Sequence, residues 1–61
     1  KVSEKEIRLQ AGKKVKNAEI IEVDYDMEDA EYEVELIGKS KKYELGYSAD
    51  GKLISYEWEK F

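Results

Sequence analysis

The stretch Tyr43-Glu44-Leu45-Gly46-Tyr47-Ser48-Ala49-Asp50-Gly51-Lys52-Leu53-Ile54-Ser55-Tyr56-Glu57-Trp58 decides the fold. On either side of Asp50-Gly51 apolar side chains recur at every second position, the period of a strand with one buried face. Asp and Gly both tolerate the positive φ that a two-residue type I′ turn demands, so the pair reads as a hairpin tip. A two-residue loop at 50–51 sets Tyr47 opposite Ile54, Leu45 opposite Tyr56 and Tyr43 opposite Trp58. Apolar then meets apolar at each step across the pair.

Working outward, Gly38-Lys39-Ser40-Lys41 marks a second tight turn. A loop centred on 39–40 sets Leu36 opposite Tyr43, Val34 opposite Leu45 and Tyr32 opposite Tyr47, on the same side as the first hairpin. The pattern predicts four strands, at 18–25, 31–37, 42–48 and 52–59, with Asp26 to Ala30 as a longer acidic connection. Extending the meander to the first strand adds Ile21, Val23 and Tyr25 to the apolar face. At the amino end Ser3 and Glu6 have the spacing of a capping box, and Val2 and Ile7 that of a hydrophobic staple. These predict a helix over roughly 4–12, with Ile7, Ala11 and Val15 on one face. Gly12 is placed to end it in a left-handed cap, with Lys13 and Lys14 at the negative end. Ile7, Leu9 and Ala11 also alternate, which leaves a strand as the competing reading. The expected fold class is α+β: one N-terminal helix packed on a four-stranded antiparallel meander, in a single domain spanning 1–61.

Composition sets the limits. A chain of 61 residues supports one core. With no cysteine and no histidine it has neither a disulfide nor the usual zinc ligands to staple it, so the apolar core must suffice. That gives weight to Tyr25, Tyr32, Tyr43, Tyr47, Tyr56, Trp58 and Phe61, which the register mostly turns inward. A net charge of −4 argues against nucleic acid and against an anionic membrane surface. The longest uninterrupted apolar run is two residues, so the segment is not expected to insert in a membrane. The first residue is Lys1 rather than methionine, from which removal of a leader or tag is expected.

The same register that builds the apolar face places Glu22, Glu35, Glu44 and Glu57 in one row across the opposite face, with Asp24 and Glu33 in the row beside it. Like charges facing one another across strands are destabilising. Lys42 beside Glu59 offers partial relief, and Gly46 and Ser55 leave the middle of the sheet uncrowded. One reading is a solvated face that keeps an acidic protein soluble. The other is a docking surface for a protein partner bringing Lys or Arg, and these six carboxylates are then the candidate site. Self-association through the edge strands 52–59 or 18–25 is the alternative mode of assembly.

Asp24, Asp26, Glu28 and Asp29 carry the residue types of a calcium loop, but an EF-hand starting at Asp24 needs glycine where Asp29 stands. A charged connection is the expected role. Without histidine or cysteine the usual general base and strongest nucleophile are missing, and Ser3 and Ser40 are accounted for by a cap and a turn. Carboxylate pairs such as Glu35 and Glu44 lie on a flat face with no cleft to desolvate one of them. A non-enzymatic chain without cofactor or metal is expected.

Leu9-Gln10-Ala11-Gly12-Lys13-Lys14-Val15, Ile21-Glu22-Val23-Asp24, Tyr32-Glu33-Val34-Glu35-Leu36, Lys42-Tyr43-Glu44-Leu45 and Ala49-Asp50-Gly51-Lys52-Leu53-Ile54 together resemble PepSY and PepSY-like domains. Order and spacing match across nearly the whole chain, although each element is a short degenerate pattern. The resemblance implies a helix paired with an antiparallel sheet, related in structure to beta-lactamase inhibitory proteins. It also implies an extracytoplasmic setting, in bacterial secreted, periplasmic or membrane-anchored proteins, with a proposed role in restraining peptidases. It carries over no site residue. Many such domains have a longer helix before the Ala-Gly element, whereas only Lys1 to Gln10 precede it here, and many occur in tandem, so a neighbouring unit is expected.

Overall fold

Ser3 starts the helix. In the computed structural model, which describes Lys1–Phe61, its Oγ accepts a hydrogen bond from the Glu6 N–H (3.2 Å), satisfying one of the free donors of the first turn of α1 (Glu4–Lys14). The reciprocal half of the expected box is absent: the Glu6 carboxylate accepts from Gln10 Nε2 (3.1 Å) one turn further on. Arg8 and Glu4 form a second pair at that spacing (2.8 Å). Glu4 and Glu6 in the first turn and Lys13 and Lys14 in the last complement the helix dipole.

The expected stop at Gly12 is corrected. The helix runs on to Lys14, the cap is Val15 (φ −121°), and the left-handed residue is Asn17 (φ 64°). Glycine inside a helix costs about 1 kcal/mol relative to alanine, whereas burying a valine side chain contributes about 1.5–3 kcal/mol. Continuing the helix carries Val15 into the core beside Ile7 and Ala11, and the burial wins. The helix also disposes of the strand alternative for residues 7–11.

The sheet comprises β1 (Glu19–Asp26), β2 (Glu31–Ile37), β3 (Lys41–Ser48) and β4 (Leu53–Lys60), antiparallel and in chain order. The fold is thus one helix on an α+β meander. The β2–β3 register agrees with the reading at each expected pair, Leu36 with Tyr43, Val34 with Leu45 and Tyr32 with Tyr47. Gly38 N–H donates to the Lys41 carbonyl (2.8 Å) and closes the loop at Lys39-Ser40. Tyr32, Val34, Leu36, Leu45 and Tyr47 join Ile7, Ala11 and Val15 in the buried core, with Val2, Ala18, Ile20, Val23, Tyr25 and Tyr43 packed around it.

Two bulges depart from simple alternation. In β1 the register shifts between Ile20 and Glu22, so Ile20 pairs with Leu36 and packs on the core while Ile21 is left 51% exposed. The expectation that Ile21 faces inward is corrected, because one extra residue in a strand reverses the side-chain alternation beyond it. The second shift lies in the β3–β4 hairpin. Gly51 N–H donates to the Ser48 carbonyl and Ser48 N–H to the Lys52 carbonyl, and within this tip only Gly51 has a positive φ (92°). The tip is therefore a three-residue loop, Ala49-Asp50-Gly51, in place of the expected two-residue type I′ turn. Tyr47 consequently pairs with Leu53 rather than with Ile54. A bulge in β4 then takes up one residue, and from Gly46–Ser55 onward the expected pairs hold, Leu45 with Tyr56 and Tyr43 with Trp58.

The helix does not cover the whole sheet. It is about 10 Å wide and so spans about two strand spacings of ~4.8 Å, and its backbone runs closest to β1. Every residue of β4 stays exposed, including Tyr56 (42%) and Trp58 (50%). The expectation that these two rings belong to the core is corrected: they stand on the core side of the sheet but beyond the helix.

Candidate acidic interface

On the face away from the helix the strands deliver the predicted carboxylates together. The register aligns Glu22 with Glu35, Glu35 with Glu44 and Glu44 with Glu57 in a continuous row across all four strands. The next row runs Asp24, Glu33, Gly46, Ser55. All six candidate residues line one shallow trough. Sequence reading missed a further member, Glu31, which pairs with Asp26 on one side and Ser48 on the other and closes the trough's end. The signal was present in the same alternation, since Glu31 precedes Glu33 by one strand period.

Gly46 makes the floor low. A Cβ at this position would lie 2.4 Å from Ser55 Oγ, so the two small residues fit against each other across β3 and β4. The second row therefore changes from carboxylates on β1 and β2 to a bare shelf on β3 and β4.

Lys42 lies on the same face, in the row flanking Glu35 and Glu44. It stands opposite Glu59, but its ammonium turns to Glu35 (2.9 Å) and, less closely, to Glu44 (3.8 Å). The expected relief of Glu59 is thus redirected to the middle of the row, where two carboxylates share one charge. Hydrogen bonding to Lys42 holds the Glu35 carboxyl below the usual range and raises Lys42 in turn. Glu22 has no such partner. Hydrogen bonds from its carboxyl to Asp24 and Glu35, and repulsion from both charges, push its pKa up to about 7. Near neutrality the Glu22 carboxyl is therefore partly protonated, at the end of the row that Lys42 does not reach.

No group of three carboxylates converges closely enough to hold a metal ion. In the connection after β1, Asp26 Oδ1 accepts from the Glu28 and Asp29 N–H groups (3.0 and 3.3 Å) and Ala30 adopts a left-handed conformation (φ 55°). Asp26 there organises a turn. No helix is long and apolar enough to cross a membrane.

No family model, curated protein or solved structure matches this chain.

What remains is the chemistry of the face itself. An open carboxylate row with one lysine is suited to receiving cationic side chains in a plane, with Gly46 and Ser55 leaving room for them to lie down.

Proposed function

We propose that this chain is a non-enzymatic protein-binding module that engages a basic partner through its acidic sheet face. The observation that carries the reading is the unrelieved row: Glu22, Glu35, Glu44 and Glu57 lie side by side, and Lys42 reaches only Glu35 and Glu44. Repulsion retained in the free protein is released when a partner supplies Lys or Arg, and the same field speeds encounter. Release of the proton on Glu22 accompanies that step. The resemblance to PepSY-like domains adds an extracytoplasmic setting and a peptidase as the class of partner.

The test is a pull-down from a bacterial envelope extract at low and high salt, with the Glu35→Lys/Glu44→Lys variant as control and circular dichroism to verify its fold. Capture lost in high salt and in the folded variant supports the reading. A variant that gains stability and captures the same proteins leaves the face as a solvated surface only.

A further inference from the structure

We infer that the outer edge of β4 receives an extended peptide of alternating apolar and basic residues as a fifth strand, a docking mode that rests on the acidic-face reading and extends it. Three features meet at this edge. The first is backbone. Phe61 N–H donates inward to the Ser40 carbonyl (3.1 Å), and β4 pairs regularly with β3 from Ser55 to Lys60. Antiparallel alternation then turns the N–H and C=O groups of Tyr56, Trp58 and Lys60 outward, away from β3. The second is the helix side of the strand, where Tyr56 and Trp58 are about half exposed, each with only a lysine ammonium, Lys14 or Lys41, over its ring. The third is the opposite side, where Glu57 and Glu59 stand with no cation bound to either in an ion pair.

One occupant satisfies all three. An extended segment adds backbone hydrogen bonds, lays its odd side chains on one side of the sheet and its even ones on the other. Apolar residues on the helix side cover Tyr56 and Trp58, and lysines or arginines on the other reach Glu57 and Glu59 and point along the row toward Glu44. A second copy of this chain fits poorly. Its two edge strands bring Glu22 and Asp24 or Glu57 and Glu59 against the same carboxylates, and β1 is further spoiled by its bulge at Ile21. Single-stranded nucleic acid is also disfavoured. The net charge of −4 and the unpaired Glu57 and Glu59 carboxylates beside the rings oppose a phosphate backbone.

The experiment titrates the intact chain with an alternating valine-lysine octapeptide and follows the fluorescence of Trp58, the one tryptophan present. Three peptides serve as controls: serine-lysine, valine-glutamate, and valine-lysine N-methylated on the edge that would face β4. The expected result is a blue shift with valine-lysine, and binding weaker by about tenfold or more after N-methylation, since several backbone hydrogen bonds of ~1 kcal/mol each are lost. The Glu57→Lys/Glu59→Lys variant is expected to prefer the valine-glutamate peptide. If serine-lysine binds as tightly as valine-lysine and N-methylation changes nothing, the edge mode is overturned while the acidic face stands. If no lysine peptide binds, both readings fall. Binding of oligothymidylate in place of the peptides overturns the inference in favour of a polyanion site.

Discussion

The two halves of the core-side sheet face have the same kind of sequence and opposite fates. On β2 and β3, Leu36, Val34, Leu45 and Tyr47 are sealed beneath Ile7 and Ala11 of the helix and Val15 at its cap. One strand further on, Tyr56 and Trp58 pair directly with Leu45 and Tyr43, yet they remain about half exposed. Alternation and cross-strand pairing are equally good in both halves. The difference is supplied by an element of fixed width, and it divides residues sealed in the core from residues left open to solvent.

Substitutions in the two halves should separate them sharply. Leu36→Ala leaves a cavity under the helix, and a loss of about 2–5 kcal/mol is expected. That is a large share of the roughly 5 kcal/mol available to a domain this small, so denaturant titration should find the variant largely unfolded. Trp58→Ala should cost about 1 kcal/mol or less in the same titration. Equal losses at the two positions would break the comparison.

The hairpin tip joins the halves, and Gly51 tests that joint. Its positive φ disfavours any side chain, and a Cβ there would sit 3.2 Å from Gln10 Nε2 and 3.5 Å from Val2. Gly51→Ala should therefore cost about 1–2 kcal/mol through backbone strain, read as a lowered denaturation midpoint. Ser3→Ala, which removes the helix cap, should cost about 1 kcal/mol. Its amide-exchange signature should be confined to the covered half, with β4 unaffected.

The weakest expected effect is titration of the acidic face. The pKa of Glu22 rises from 4.5 to about 7 on folding, so the stability it contributes is complete below about pH 4.5 and is lost as pH climbs through 7. Glu35 acts in the reverse direction: its lowered pKa contributes stability above its ordinary range, lost as pH falls through the folded value. Stability should peak in mildly acidic solution, and Glu22→Gln should flatten the decline between pH 5 and 8 in thermal melts, about the span of a carboxylate titrating between its two values. A decline unchanged in that variant would assign the pH dependence to other groups.

How far the sequence spoke for the structure follows the same division. Ser3 as cap, the four strands, the β2–β3 register and the row from Glu22 to Glu57 all rest on local chemistry or on period two, and both are written in the residues. The bulge at Ile21 was illegible because Ile20 and Ile21 are equally apolar, so composition alone does not choose which one faces in. The loop of Ala49-Asp50-Gly51 escaped because Asp-Gly suits either turn, and the compensating bulge near Ile54 hides the error from every later pair. Exposure of Tyr56 and Trp58 depended on where the helix lies across the sheet, a tertiary matter with no local signature. The redirection of Lys42 toward Glu35 is of that kind too, since a long side chain selects among neighbouring carboxylates.

The ends of the chain are fastened at opposite ends of β3. Val2 N–H donates to the Ala49 carbonyl (2.9 Å) beside one end of that strand, and Phe61 N–H donates to Ser40 just before the other. The separation is about eight strand residues, or ~25 Å. Tension applied between the two termini would therefore run parallel to the strands and load the β3–β4 ladder in shear, all its hydrogen bonds at once, rather than peeling them one after another.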